Sequence, residues 1–473
     1  MKFLKSFIVL LLAISGTASA QYSISFKVKG LKEGDSCILA YYYADQNKVV
    51  DTAAVKNGKV TYKGDKKLDN GVYIIVLPKR SYIEFLVPKD DQEFEIQFDT
   101  SLAIAGKSAV GSLDNQLFFD FDKFASEQSK PKATLIEEYK KCADDGCKDA
   151  IRAKVEAIDE VIDKRRLELI NQNPQTFVAK LFKAVMDVEI PESIKSNEDL
   201  AFEYMQKHYW DNIDLTDDGM LRTPLFKRKL ENYITKMFDQ NPDSLIPVID
   251  DLCSRMEKGG AKEMYKYTVW WITNHHEESK IMCMDKVLHH MAQDYYCAGK
   301  CFWADSSLVA KMCEHAVKIG KTRCGDIAPN MQLYDTTYFR MVEMHKIQSK
   351  ITVVVFWDHQ CGHCKKEIPK LKEMYDTMKK RGVEVYAVYT QADVDGWKKY
   401  IKDNGLSWIN VVDAHNNATY RADYNIISTP QVYILNEHKV IEFKNPPAEN
   451  VGKILEYMLK EYDENNSPVK NEP

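Results

Sequence analysis

Cys361-Gly362-His363-Cys364 follows directly on the apolar run Thr352-Val353-Val354-Val355-Phe356-Trp357, and this junction constrains the fold more than any other stretch. A buried strand that runs into Cys-x-x-Cys and then a helical pattern places two thiols at a helix N-terminus. Unpaired backbone N–H groups and the helix dipole favour a thiolate there. A thiolate beside a second thiol can attack a disulfide and then be released by its neighbour, which is dithiol–disulfide exchange.

The surrounding pattern agrees. Ile368, Leu371, Met374, Tyr375 and Met378 recur at helical spacing, with Pro369 expected to kink the helix. Residues 383–388 and 408–412 read as strands, 394–404 as a helix stopped by Gly405, and 417–424 as a short helix. Residues 431–435 and 440–443 read as a hairpin around Asn436-Glu437-His438-Lys439, before a last helix over 448–462. Strand–helix alternation with a terminal hairpin predicts a central sheet covered by helices on both faces.

Phe356-Trp357, Cys361 through Pro369, and Ser428-Thr429-Pro430-Gln431-Val432-Tyr433 resemble the thioredoxin superfamily, and within it the TlpA/ResA-like thiol–disulfide oxidoreductases. Asp326-Ile327-Ala328-Pro329-Asn330 is similar to the segment that leads into this core. The resemblance covers residues 325–462, about a third of the chain, and implies the following roles. Cys361 is the exposed nucleophile and Cys364 the resolving thiol, the two forming a Cys361–Cys364 disulfide when oxidised. Pro430 is a cis-proline facing the dithiol. The Thr429 backbone pairs with an incoming peptide, and Trp357 packs beside the site. No cofactor is implied beyond the dithiol. The implied partners are protein thiols and disulfides, with a membrane-bound electron donor.

Two positions depart from thioredoxin itself. Val355 stands where thioredoxin has a buried Asp, and Glu367, one turn past Cys364, matches a Glu carried by many TlpA/ResA-like proteins. Glu367 is either a proton acceptor for the resolving thiol or an exposed helix carboxylate. His363 replaces a proline; a cationic imidazole there would stabilise the Cys361 thiolate and favour a more oxidising couple. A zinc site would need two further ligands, and Cys324 with the nearby histidines presents no second matched pair, so no metal is expected.

At 473 residues the chain has room for about three domains, and its net charge of −5 with no basic stripe argues against a nucleic-acid partner. Residues 1–20 read as a secretory signal: Lys2 and Lys5, an apolar stretch over 7–14, then Ala18-Ser19-Ala20. That run is too short to span a bilayer, so a periplasmic or secreted protein starting near Gln21 is expected. Residues 21–112 alternate with period two, as in Ile24, Phe26 and Val28 or Phe94, Ile96 and Phe98. Further strands are expected at 41–43, 72–77 and 83–87, with turns such as Asn57-Gly58 between them, giving a small β-sandwich or barrel. Its expected role is a docking or dimerisation platform, including a homodimer.

Residues 113–322 change to helical spacing, and six to eight helices are expected, with Pro174, Pro191, Pro224, Pro242 and Pro247 starting or breaking them. His275-His276 and His289-His290, around Cys283, read as a solvated face rather than a metal site. Asp211, Asp214, Asp217 and Asp218 fail as a calcium loop because the twelfth position is Arg222. Trp270-Trp271 and Tyr295-Tyr296 read as packing. Residues 323–473 form the third, thioredoxin-like domain, so the fold class is multi-domain: all-β sandwich, all-α middle domain, C-terminal α/β domain.

Eleven cysteines less the active pair leave nine, so at least one stays unpaired within the chain. Cys142–Cys147 and Cys297–Cys301 close the shortest loops, and i,i+4 helical spacing argues against the second. Cys324 is the nearest candidate for a third redox thiol, against the default of buried inert cysteines. The sequence therefore predicts a secreted thiol–disulfide oxidoreductase, used as a reductase in preference to an oxidase or isomerase. The competing class is a binding or scaffold protein whose dithiol is vestigial.

Overall fold

The computed structural model describes residues 20–465, so the expected secretory signal lies, except for Ala20, outside the described residues. The described residues divide into two compact units: residues 20–237 with 254–265, and residues 238–253 with 266–465. Among the described residues no helix is long and apolar enough to cross a membrane.

The first unit opens with β1 (Tyr22–Lys29), β2 (Ser36–Tyr43), β3 (Gln46–Ala54), β4 (Lys59–Gly64), β5 (Gly71–Val76), β6 (Tyr82–Val87), β7 (Glu93–Asp99) and β8 (Ser108–Val110). They form two four-stranded sheets, ordered β4-β1-β7-β8 and β3-β2-β5-β6. Inward residues of both, including Ile24, Phe26, Phe85 and Ile96, share one core, the period-two pattern of a sandwich. Asn57 and Gly58 both take left-handed φ (51° and 72°), as a tight two-residue turn between β3 and β4 demands. The sequence reading passes over β3 because it has no apolar-in, polar-out alternation: seven of its nine residues are exposed and the other two half-buried.

The helical region holds α1 (Leu113–Lys141), α2 (Asp145–Gln172), α3 (Phe177–Val185), α4 (Glu198–His208), α5 (Phe226–Lys236), α6 (Pro242–Gly259), α7 (Lys262–Glu277), α8 (Asp285–His290) and α9 (Ser306–Ile319). That is more than the expected six to eight, because short helices such as α8 fall below the length that periodicity can reveal. Pro242 starts α6 as expected, but α6 runs through Pro247 without ending. In the first unit, Asn115 of α1 clamps the backbone of Leu86 in β6, donating to its carbonyl at 2.7 Å and accepting its N–H at 2.8 Å.

The second unit carries β9 (Gln332–Asp335), β10 (Met341–Glu343), β11 (Ile351–Trp357), α10 (Gly362–Met378), β12 (Val383–Tyr389), α11 (Val394–Asn404), β13 (Ile409–Val412), α12 (Tyr420–Asp423), β14 (Gln431–Leu435), β15 (Ile441–Lys444) and α13 (Ala448–Asn465). Its seven-stranded sheet has the order β10-β9-β13-β12-β11-β14-β15. β11 is central, parallel to β12 and antiparallel to β14, and all seven of its residues are buried. Val353, Val355 and Trp357 feed one core with α10 and α13, while Val354 and Phe356 feed another with Tyr424 and Tyr433. A strand covered on both faces is why its sequence reads as one unbroken apolar run.

Candidate functional site

The site forms where β11 ends. Cys361 is the N-cap residue of α10, so the first-turn N–H groups of His363 and Cys364 have no helical partner and face its sulfur. β14 begins beside the same strand end, with Gln431 opposite Phe356. This register brings the cis Thr429–Pro430 bond alongside the dithiol. The Cys361 thiol donates to the Thr429 carbonyl at 3.2 Å.

The two sulfurs differ sharply. Cys361 is partly exposed, while Cys364 is fully buried. Burial alone would push the Cys361 thiol up. Hydrogen bonding from the Cys364 N–H, the Thr429 and Cys364 side chains and the His363 N–H more than offsets that, and holds its pKa below the usual cysteine value. Burial pushes the Cys364 thiol up to about 12, against the backbone N–H of Asp358 and the Thr429 side chain. Neither cysteine is disulfide-bonded in this structure.

A groove of about 440 Å³ runs beside the pair, lined by His363, Glu367, Ile368, Leu371, Thr429, Pro430, Val432 and Pro447 among others. Glu367 is partly buried and pairs with Lys370 at 3.1 Å. His363 is exposed on the groove rim. Trp357, expected to pack beside the site and offered as a substrate-binding residue, lies in the same core as Cys364 but is 0% exposed, packed against Tyr389 and Tyr400, so it offers substrate no surface. Its position on a central strand with both faces covered leaves it supporting the site from beneath. Asp358, whose N–H reaches the Cys364 sulfur, escaped the sequence reading; its place directly after the last residue of β11 was the available signal.

The other cysteines pair as Cys142–Cys147, Cys283–Cys324 and Cys297–Cys313, leaving Cys37, Cys253 and Cys301 as buried thiols. Cys324 is thus bonded to Cys283 and is no third redox thiol. The solvated-face reading of the histidines also fails in part: His276 is buried and bonds the Ile272 carbonyl through Nδ1 at 2.8 Å, and His290 is held between Asp250 and Asp294, both at 2.8 Å. Tyr295 and Tyr296 are core, but Trp270 is exposed.

Residues 324–444 match the AhpC/TSA family, residues 155–314 the family described as Domain of unknown function (DUF5106), and residues 22–118 that described as Domain of unknown function (DUF4369). Thiol-disulfide oxidoreductase ResA of Halalkalibacterium halodurans is 27% identical over 177 residues, covering 35% of this chain and 94% of that protein. Thiol-disulfide oxidoreductase ResA of Bacillus subtilis is 28% identical over 139 residues, covering 29% of this chain and 73% of that protein. A solved thioredoxin-like protein from Bacteroides caccae is 16% identical, with a TM-score of 0.42 over 57% of this chain and 98% of that one. The C-terminal domain belongs to the thioredoxin superfamily, on its TlpA/ResA-like branch. The chain is accordingly an enzyme of the thiol–disulfide oxidoreductase class.

Proposed function

We propose that the protein reduces protein disulfides outside the cytoplasm through the Cys361–Cys364 dithiol. The observation that carries this reading is the split between the two sulfurs, one partly exposed and acidified, the other buried and held protonated. The Cys361 thiolate attacks a substrate disulfide, forming one mixed S–S bond and releasing the substrate's other sulfur as a thiolate that takes up a proton. Cys364 then gives up its proton and attacks Cys361 Sγ, which releases the reduced substrate and leaves the Cys361–Cys364 disulfide. Two electrons have passed to the substrate, and a membrane-bound donor returns them to the dithiol.

Substrate backbone pairs with Thr429 beside Pro430, and the adjoining groove takes the flanking side chains. Glu367, partly buried on that groove, serves as the proton acceptor when Cys364 resolves the mixed disulfide. The compartment is inferred from residues 1–20 and from three disulfides that a reducing cytosol would not sustain. The β-sandwich and the helices select the partner or hold a homodimer. His363, exposed two residues from Cys361, is the argument for the oxidising direction, so direction is tested by potential. Equilibration with glutathione should give a couple reducing enough to open insulin disulfides, with faster insulin precipitation than dithiothreitol alone. No acceleration, together with full biological function in Cys361→Ser/Cys364→Ser, would favour the scaffold reading.

A further inference from the structure

The turn joining β11 to α10 holds a histidine that the exchange chemistry leaves unused. His359, two residues before Cys361, points inward with its side chain only 12% exposed. Its Nε2 stands 3.3 Å from Asp393 Oδ2, while Nδ1 lies 3.7 Å from Asp358 Oδ1, beyond hydrogen-bond reach. The rings of Tyr389 and Tyr400 flank it, at centroid distances of 5.6 and 6.3 Å. Asp393 is the N-cap residue of α11 and accepts the Gly396 N–H at 3.1 Å. The same carboxylate accepts from Gln360 Nε2 at 3.0 Å. One side chain thus ties the first turn of α11 to two residues of the active-site turn.

Gly396 supplies an independent observation. A Cβ at that position would lie 2.6 Å from His359 Nε2 and 2.4 Å from Asp393 Oδ2, both far inside contact distance. The imidazole fits only because this turn of α11 has no side chain there, although glycine is among the weakest helix formers. The anchored turn is also the one that serves the sulfurs: the Asp358 N–H reaches Cys364, and the Cys361 N–H closes back on the Asp358 carbonyl at 3.3 Å.

We propose that His359, seated against Gly396 and held by Asp393, is a positioning residue that fixes the turn carrying the Cys361–Cys364 couple. It acts through the backbone and touches no substrate. The proposal rests on reading the pair as a redox couple. Loosening the turn misaligns the N–H groups that stabilise the Cys361 thiolate, so the thiol becomes harder to ionise.

The test uses the full-length reduced protein and three variants, His359→Ala, His359→Gln and Gly396→Ala. Iodoacetamide alkylation of Cys361 is followed against pH by mass spectrometry, with the potential of the couple measured against glutathione. His359→Ala and Gly396→Ala should slow alkylation at pH 7 by about fivefold or more, corresponding to an upward pKa shift of about 0.7. His359→Gln, which can still reach Asp393, should retain most of the wild-type rate. Wild-type pH profile and potential in Gly396→Ala and in a folded His359→Ala would overturn the role. If His359→Ala does not fold, Gly396→Ala decides. A wild-type Cys361 that alkylates like an unfolded cysteine would overturn the underlying redox reading, and the positioning role with it.

Discussion

Cys37 in the N-terminal sandwich and Cys361 in the C-terminal domain are the same chemical group under opposite regimes. Cys37 sits within β2 with 0% exposure, its backbone carbonyl accepting from Tyr62 Oη at 2.9 Å, and burial followed by the nearby Asp35 pushes its thiol up to about 11. Cys361 sits where a buried strand gives way to a helix, and its pKa is held below the usual value. In the sandwich the strand N–H groups are drawn into ladders, and the inner side chains are mainly apolar. At the end of β11 the ladder stops and the helix has not yet begun its own bonds. The spare N–H groups there are what a sulfur anion needs, so reactivity follows from position on an element rather than from residue type.

The contrast breaks most visibly in activity. Cys361→Ser should reduce insulin turnover to the dithiothreitol background, while Cys37→Ala should leave the folded protein's turnover at the wild-type level. Next comes alkylation of the native reduced protein. A thiol near pKa 12 is ionised to about one part in 10⁵ at pH 7, and one below 9 to at least about one part in 10². Cys361 should therefore label at least about a thousandfold faster than Cys364, and Cys37 should label only on unfolding. The sign with pH follows: the Cys361 rate rises as pH climbs through its depressed folded pKa and levels above it. The matching stabilisation of the reduced fold is complete above the ordinary cysteine pKa and is lost as pH falls through the folded value.

Smaller effects separate the two units. Cys283–Cys324 closes a loop of sequence separation 41, and its removal should cost about 4 kcal/mol by the chain-entropy relation. Cys142–Cys147, with separation 5, should cost about 2 kcal/mol, both read by denaturant titration. Cys37→Ser should cost about 1 to 3 kcal/mol, because it buries a hydroxyl in an apolar core, and should leave the potential of the Cys361–Cys364 couple unchanged.

The C-terminal elements were the most legible. The helix at 394–404 and the strand at 431–435 match their observed bounds, because the apolar run, Gly405 and the Thr429-Pro430 step each mark a local physical requirement. β9 and β10 were not legible, since short strands at a sheet edge carry little periodicity. The candidate pair was legible from two cysteines beside a strand, and the cis bond before Pro430 agrees with the family pattern. Trp357 packs beside the buried Cys364 as the resemblance implies, but a substrate contact fails because it lies at 0% exposure under the site. The partners of Cys283 and Cys297 lie 41 and 16 residues away, and long-range pairing leaves no trace in local spacing. His359 gave no signal at all until Gly396, 37 positions on, was seen beside it.

Trapping tests the central claim most directly. Purified Cys364→Ala protein, reduced and mixed with a disulfide-bonded model protein, should accumulate a single adduct joined through Cys361 Sγ and released by dithiothreitol. An adduct through any other cysteine, or none while the substrate stays accessible to dithiothreitol, would contradict the account.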